Sequence, residues 1–345
     1  MNSFLPPNDM VRDVVRLTQN MGGIPFSRRE ALRRCVYGSA GLLLMEPFSI
    51  NAAPRAAAIA KEGQAKSVIQ IWLWGGPCHI DTFDPKPEAG RDYTGALDQT
   101  LETNVSGMRI GQLLPQLAKN ADKYSLIRSM THGNNGHETA AYLVQTGRSS
   151  ERDVFPGLGA VVSYFKGYDA GYKGLIPPYV VLTEPQGRFS EAGFLGPRYK
   201  PFATGGDPAR QPFAVEGIVT PGITEAHQKE RRKLLGSLNT LGGVLPGNAT
   251  LKTVVDSEQQ AYELILGDAG KLFDLSQEKE EMRERYGRNT FGQSCLMARR
   301  LVEKGVPFIT INYKGWDTHK QHFQIMNRKL PELDQGLAAL LADLS

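Results

Sequence analysis

Five of the six histidines in the chain fall in or beside three short polar clusters. The first runs Gly75-Gly-Pro-Cys-His-Ile-Asp-Thr-Phe-Asp-Pro85. His79 and Asp81 are two apart, so in an extended loop they share a face. Imidazole plus carboxylate suits a divalent metal such as Zn²⁺, Mn²⁺ or Fe. The competing reading is a turn that Asp81 caps, with His79 as an exposed polar residue. The second cluster is Ser129-Met-Thr-His-Gly-Asn-Asn-Gly-His-Glu-Thr139. His132 and His137 sit in a glycine-punctuated loop that opens a helix, where free backbone N–H groups favour an anion. Thr131 or Ser129 could act as a nucleophile once a metal or base activates it. The alternative is a plain helix cap built on Asn134 or Asn135. The third is Asn312-Tyr-Lys-Gly-Trp-Asp-Thr-His-Lys-Gln-His322. Asp317 and His319 repeat the two-residue spacing, with His322 three further on, and the competing reading is an N-cap with solvent-facing imidazoles.

Rigid elements must hold these clusters. Ser67–Trp74 is a β-rich apolar run ended by Gly75-Gly76-Pro77, which predicts a buried strand opening into a loop. Further strands are predicted at Tyr124–Arg128, Tyr179–Thr183 and Val306–Tyr313. Helices are predicted over Pro115–Lys123, Glu138–Thr146 with Gly147 as its stop, Thr224–Leu241, Val254–Leu266, Ser276–Lys304 and Leu330–Leu344. In Ser276–Lys304, Glu281 with Arg285 and Glu284 with Arg288 have favourable i,i+4 spacing. The Gly-, Pro- and Phe-dense stretch 184–222 reads as a long surface excursion. Strand–helix–strand alternation predicts an α/β sandwich with a largely parallel sheet, in which ligand sites gather beyond the strand C-termini. The first and third clusters follow a strand directly, and the second begins after the Tyr124–Arg128 run.

The N-terminus has a different character. Ser27-Arg-Arg-Glu-Ala-Leu-Arg-Arg34 precedes the apolar run Cys35–Met45, and small residues (Ala52, Ala53, Ala56–Ala58) follow. These are the parts of an export signal, and the paired arginines match the twin-arginine class, although Ala31 stands where that motif usually has Phe. Residues 1–60 are therefore read as leader and linker, and 61–345 as the functional domain. The net charge of +4 resides in residues 1–66, which hold nine Lys/Arg against five Asp/Glu, and residues 67–345 hold 31 of each. A nucleic-acid binder needs a basic face on the folded domain, so nucleic acid is not expected as a partner. No run of 18 apolar residues occurs, so no membrane span is expected in the mature chain. Three cysteines, one of them in the leader, exclude a disulfide framework.

With these residues set out, the chain resembles the DUF1501 family of exported bacterial proteins. The resemblance rests on the leader and on Trp74-Gly-Gly-Pro-Cys-His-Ile-Asp-Thr-Phe-Asp-Pro-Lys86, Arg285-Tyr-Gly-Arg-Asn-Thr-Phe-Gly-Gln293 and Gly315-Trp-Asp-Thr-His319, in that order. It implies the alkaline-phosphatase-like superfamily, alongside sulfatases and phosphomutases, and so a three-layer αβα sandwich with one or two metals in active members. Carried over by position, Asp317 and His319 match a presumed metal pair. His79 and Asp81 match the motif after the first strand, and His132 and His137 match the helix-opening loop. Two departures stand out. Cys78 occupies a position that is commonly Ser, without the Cys-x-Pro-x-Arg pattern of sulfatases, so formylglycine chemistry is not carried over. The resembling proteins also continue with Gly-Glu-Phe-Gly-Arg-Thr and Gly-Arg-Asp-His-Trp segments beyond the point where this sequence ends. The resemblance thus implies a C-terminally incomplete member, with an incomplete ligand set and lower solubility than a longer form.

The reading on which these lines converge is an exported, metal-dependent hydrolase of sulfate or phosphate esters. Thr131, His132 and His137 are the catalytic candidates, and His79, Asp81, Asp317 and His319 the metal ligands. The ion is one of Zn²⁺, Mn²⁺, Ca²⁺ or Mg²⁺, and the partners are an anionic ester substrate and the twin-arginine translocon. The main alternative is a non-catalytic envelope protein that keeps the fold as a binding scaffold. A third reading, a sugar or polymer binder, rests on the 184–222 stretch alone.

Overall fold

Short runs rich in β-branched and aromatic residues form the strands β1 (Val68–Leu73), β2 (Thr100–Glu102), β3 (Arg109–Gly111), β4 (Tyr179–Leu182), β5 (Phe202–Ala203) and β6 (Phe308–Tyr313). The structure, a computed structural model, describes residues 65–149, 153–184, 191–211, 213–215 and 269–345, with scattered positions between 224 and 234. The export leader expected at 1–60 and the helix expected at 254–266 lie outside the described residues, as does most of the helix expected at 224–241. The helices are α1 (Arg91–Thr94), α2 (Pro115–Lys119), α3 (His137–Thr146), α4 (Leu158–Lys166), α5 (Ala269–Phe273), α6 (Glu280–Tyr286), α7 (Thr290–Glu303) and α8 (His322–Asp343).

Strands β1, β6, β4 and β5, in that spatial order, make a four-stranded sheet in which every pairing is parallel. The central strand β6 pairs Val68 through Leu73 on one side and Tyr179 through Leu182 on the other. All six of its residues are buried, as expected of a parallel strand covered on both faces. Alternation sorts its side chains. Ile309, Ile311 and Tyr313 join Val180 and Leu182 in the large core built with α7 and α8, whereas Phe308 joins Tyr179, Val181 and Val162 of α4. Helices therefore cover both faces of an α/β unit. Each fully buried aliphatic or aromatic side chain in these layers contributes on the order of 2 kcal/mol. The strands β2 and β3 form a separate antiparallel pair.

Four expectations change. Residues 124–127 form no strand; Tyr124 and Leu126 pack on the core, while Arg128 is tied by its guanidinium to the carbonyls of Phe83 and Arg109. The apolar residues there serve packing, and among the described residues no strand pairs with them. The helix expected over 276–304 is broken at Gly287 (φ +90°), and Asn289 caps α7 by accepting from Gly292 N–H at 2.8 Å. Glu284 does pair with Arg288 at 3.0 Å, but Arg285 turns instead to Asp343 at 2.8 Å. The stretch 184–222 is more than an excursion, because Phe202–Ala203 adds the edge strand beside β4. Finally, α8 begins eight residues before its expected start and runs through Pro331, whose ring ordinarily marks a helix boundary.

Candidate functional site

The parallel register of β1 and β6 carries on past the strand ends. Trp74 N–H donates to the Tyr313 carbonyl at 3.0 Å, and Trp316 N–H donates back to the Trp74 carbonyl at 3.1 Å. The first and third clusters are thereby laced together at the C-terminal edge of the sheet. Such an approach needs glycine: Gly75 has φ +106°, and a β-carbon there would lie 2.4 Å from the Asp317 amide nitrogen. The Trp316 loop is braced from behind. Trp316 is buried and packs edge-on against Tyr313, whose ring stacks on Phe291 at 4.5 Å. Lys329 Nζ lies 3.9 Å from the Tyr313 ring centre and donates to the Lys314 carbonyl at 2.7 Å. Burial pulls the Lys329 ammonium down to about 8.

Two polar groups result. In the outer one, Asp317 stands between two imidazoles, with Oδ1 2.9 Å from His319 Nε2 and Oδ2 3.2 Å from His137 Nε2. The three ligand atoms lie within 4.8 Å of one another, and all three residues are exposed, His319 most of all with 79% of its side chain accessible. His137 is the first residue of α3, a helix stopped by Gly147 in the left-handed conformation. The start of α3 faces a cleft of about 240 Å³ lined in part by Trp72, Trp74, Gly75, Gly76, His132 and His137. Among the described residues, the buried indole N–H of Trp72 has no hydrogen-bond partner.

The inner group is Cys78, Asp81 and His322, again with ligand atoms within 4.8 Å. Asp81 is buried, and its Oδ2 lies 2.5 Å from His322 Nε2. The other imidazole nitrogen, Nδ1, meets the Thr318 hydroxyl. Burial pushes the Cys78 thiol above its usual range, and a hydrogen bond to the Asp81 side chain acts in the same direction.

Of the residues singled out by sequence, Asp317 and His319 come together, and His137 joins them from the second cluster. His79 and Asp81 do not share a face. Residues 79–83 form a turn, closed by Thr82 and Asp84 N–H groups on the His79 carbonyl, so Asp81 points inward and His79 is left exposed, outside both groups. His132 lines the cleft, and its Nδ1 accepts from Asn134 N–H at 3.4 Å. Thr131 is exposed and does not line the cleft. Cys78 and His322 were not among the expected ligands. The signal for His322 was its place one helical turn beyond Thr318, and for Cys78 its place three residues before Asp81.

The fold and this site define an α/β protein with a histidine–carboxylate centre at the C-terminal edge of a parallel sheet. More particularly, the chain belongs to the DUF1501 family, described as a protein of unknown function, whose profile matches residues 65–345. No curated protein and no solved structure matches it.

Proposed function

We propose that the chain is an exported, metal-dependent hydrolase of sulfate or phosphate esters on an alkaline-phosphatase-like sandwich. The observation that carries this reading is the convergence of His137, Asp317 and His319 beside the cleft at the start of α3. The donor set fits a divalent ion: two imidazoles and one carboxylate with open solvent on the remaining side match a three-ligand centre of the Zn²⁺ or Mn²⁺ kind. Bound there, such an ion supplies Lewis-acid polarisation of the ester oxygen and lowers the pKa of an attacking water or hydroxyl. The rest is left to the chain. The first-turn N–H groups of α3 lack intrahelical partners and favour an anionic group. His132 is placed in the cleft wall to hand a proton to the departing alcohol. Thr131 is the adjoining hydroxyl, and an attack by it requires the 129–136 loop to move. The Ser27-Arg28-Arg29 leader supports passage through the twin-arginine translocon.

Elemental analysis of the purified protein, with Asp317→Ala and His319→Ala beside it, tests the reading. Stoichiometric metal that both variants lose, followed by turnover of a p-nitrophenyl sulfate or phosphate, is the expected result. The exposure of His319 favours a second reading, a non-catalytic envelope scaffold. Folded wild-type protein without metal at the outer group selects it.

A further inference from the structure

We infer that Cys78, Asp81 and His322 form a second metal site, separate from the outer group, that takes a thiophilic divalent ion of the Zn²⁺ class. This inference goes beyond the hydrolase reading and does not depend on it. Its first support is the contact between Asp81 and His322. Two lone-pair-bearing atoms facing each other at 2.5 Å need a proton or a cation between them. Among the described residues, the His322 imidazole is the one basic side chain that Asp81 meets, although the carboxylate is almost wholly buried. Buried carboxylates of this kind are paired or coordinate metals.

The second support is the third donor. Tetrahedral Zn²⁺ with thiolate and imidazole ligands sets neighbouring donor atoms roughly 3.5 Å apart. The three donors here already lie within 4.8 Å of one another; around the ion the Asp81–His322 pair, now 2.5 Å apart, opens by about 1 Å. The outer arrangement is also in place. Thr318 holds Nδ1 of His322, which fixes the ring and leaves Nε2 toward the carboxylate and thiol. Gln321, directly before His322, sits in the left-handed region (φ +53°), a strained conformation for a side-chain-bearing residue. That strain is spent at the one residue whose backbone aims His322 inward.

The same geometry excludes the obvious alternative, a Cys–His–Asp nucleophile. In such a triad the imidazole lies between thiol and carboxylate. Here both ring nitrogens of His322 are already engaged, Nε2 by Asp81 and Nδ1 by Thr318. The imidazole is therefore not free to take the thiol proton. On metal binding the thiol proton leaves to solvent and the thiolate becomes the ligand, while the proton between Asp81 and His322 gives way to the ion and passes to Nδ1, which then donates to Thr318. A sulfur donor also excludes Ca²⁺ and Mg²⁺ as the resident ion.

Titration of the full chain with Co²⁺ tests the site, because a cobalt–thiolate bond gives a near-ultraviolet charge-transfer absorption that oxygen and nitrogen ligands do not. The expected result is such a band in the wild type, absent in Cys78→Ser, with one equivalent of bound metal lost. His322→Gln, checked for folding by circular dichroism, is expected to weaken Co²⁺ binding at least tenfold. His319→Ala is expected to keep the band, which separates this site from the outer one; a wild type that shows the band but holds no metal at the outer group counts against the hydrolase reading alone. Folded wild-type protein without the band, or a band that persists in Cys78→Ser, overturns the inference.

Discussion

Gly75 lies against the backbone of Asp317 so closely that its missing side chain is a condition of the site: a β-carbon would stand 2.4 Å from the Asp317 amide nitrogen and 2.6 Å from its Cβ. The next residue, Gly76, also has a positive φ, yet a β-carbon there would meet nothing within 4 Å. The pair forms an internal control, one glycine needed for contact and conformation, the other for conformation alone.

Gly75→Ala is therefore expected to cost about 3 kcal/mol or more, from the left-handed backbone together with a backbone clash that cannot relax into a flexible side chain. Gly76→Ala is expected to cost about 1–2 kcal/mol. Urea unfolding of both variants measures the difference, and metal content reads the consequence at Asp317. Equal costs would show that the two strand-end loops are not held together by this contact.

Lys329 gives a pH dependence with a definite sign. Its folded value of about 8 lies below the ordinary 10.5, so between those values the unfolded chain binds more protons and stability rises with pH. Because the ammonium keeps partial access to solvent, the gain is on the order of 1 kcal/mol. Comparing urea midpoints of wild type and Lys329→Met at pH 7.5 and 10 isolates it. A wild-type gain no larger than that of the variant would sink the assignment. Lys329→Met is also expected to loosen the loop that carries Asp317, since it removes the donor to the Lys314 carbonyl.

Asp334 of α8 accepts from the N–H groups of Gln116 at 2.9 Å and Leu117 at 2.7 Å, so a side chain more than 200 residues away caps the first turn of α2. Asp334→Ala leaves two donors without their acceptor and is expected to cost about 2 kcal/mol. Asp334→Asn keeps one acceptor oxygen and is expected to cost less. A thermal unfolding scan that ranks the two the other way would show that burial of the charge, and not the cap, sets the balance.

Much of this architecture was legible before any coordinates. The runs at 179–182 and 308–313 are dominated by apolar and β-branched residues, as a strand covered on both faces must be, whereas 68–73, expected to be buried, forms a half-buried edge strand. The placement of Asp317 and His319 just after one of them was equally plain. What the sequence hid follows from local turns and distant partners. His79 and Asp81 diverge because five residues turn where an extended loop was expected, and Asp81 finds its partner 241 positions away in His322. Helix α4 gives a weak signal because five of the nine residues in Leu158–Lys166 are Gly159, two β-branched valines and two aromatics, and tertiary packing overrides that propensity. Its Gly159 meets the Tyr179 ring, a contact that no periodicity reveals.

The two imidazoles of the helix-opening loop are expected to part company under mutation. His137 contacts Asp317, whereas His132 lines the cleft and touches neither polar group. His137→Ala should thus lower metal content at the outer group together with any ester hydrolysis. His132→Ala should leave metal content intact and reduce turnover by 10²-fold or more, with the loss concentrated in kcat, as removal of a general acid does. The loss should shrink for esters of strongly acidic alcohols, whose leaving oxygen needs no proton. A uniform loss across leaving groups, or metal released by His132→Ala, would remove His132 from that role and leave the cleft with His137 as its sole working imidazole.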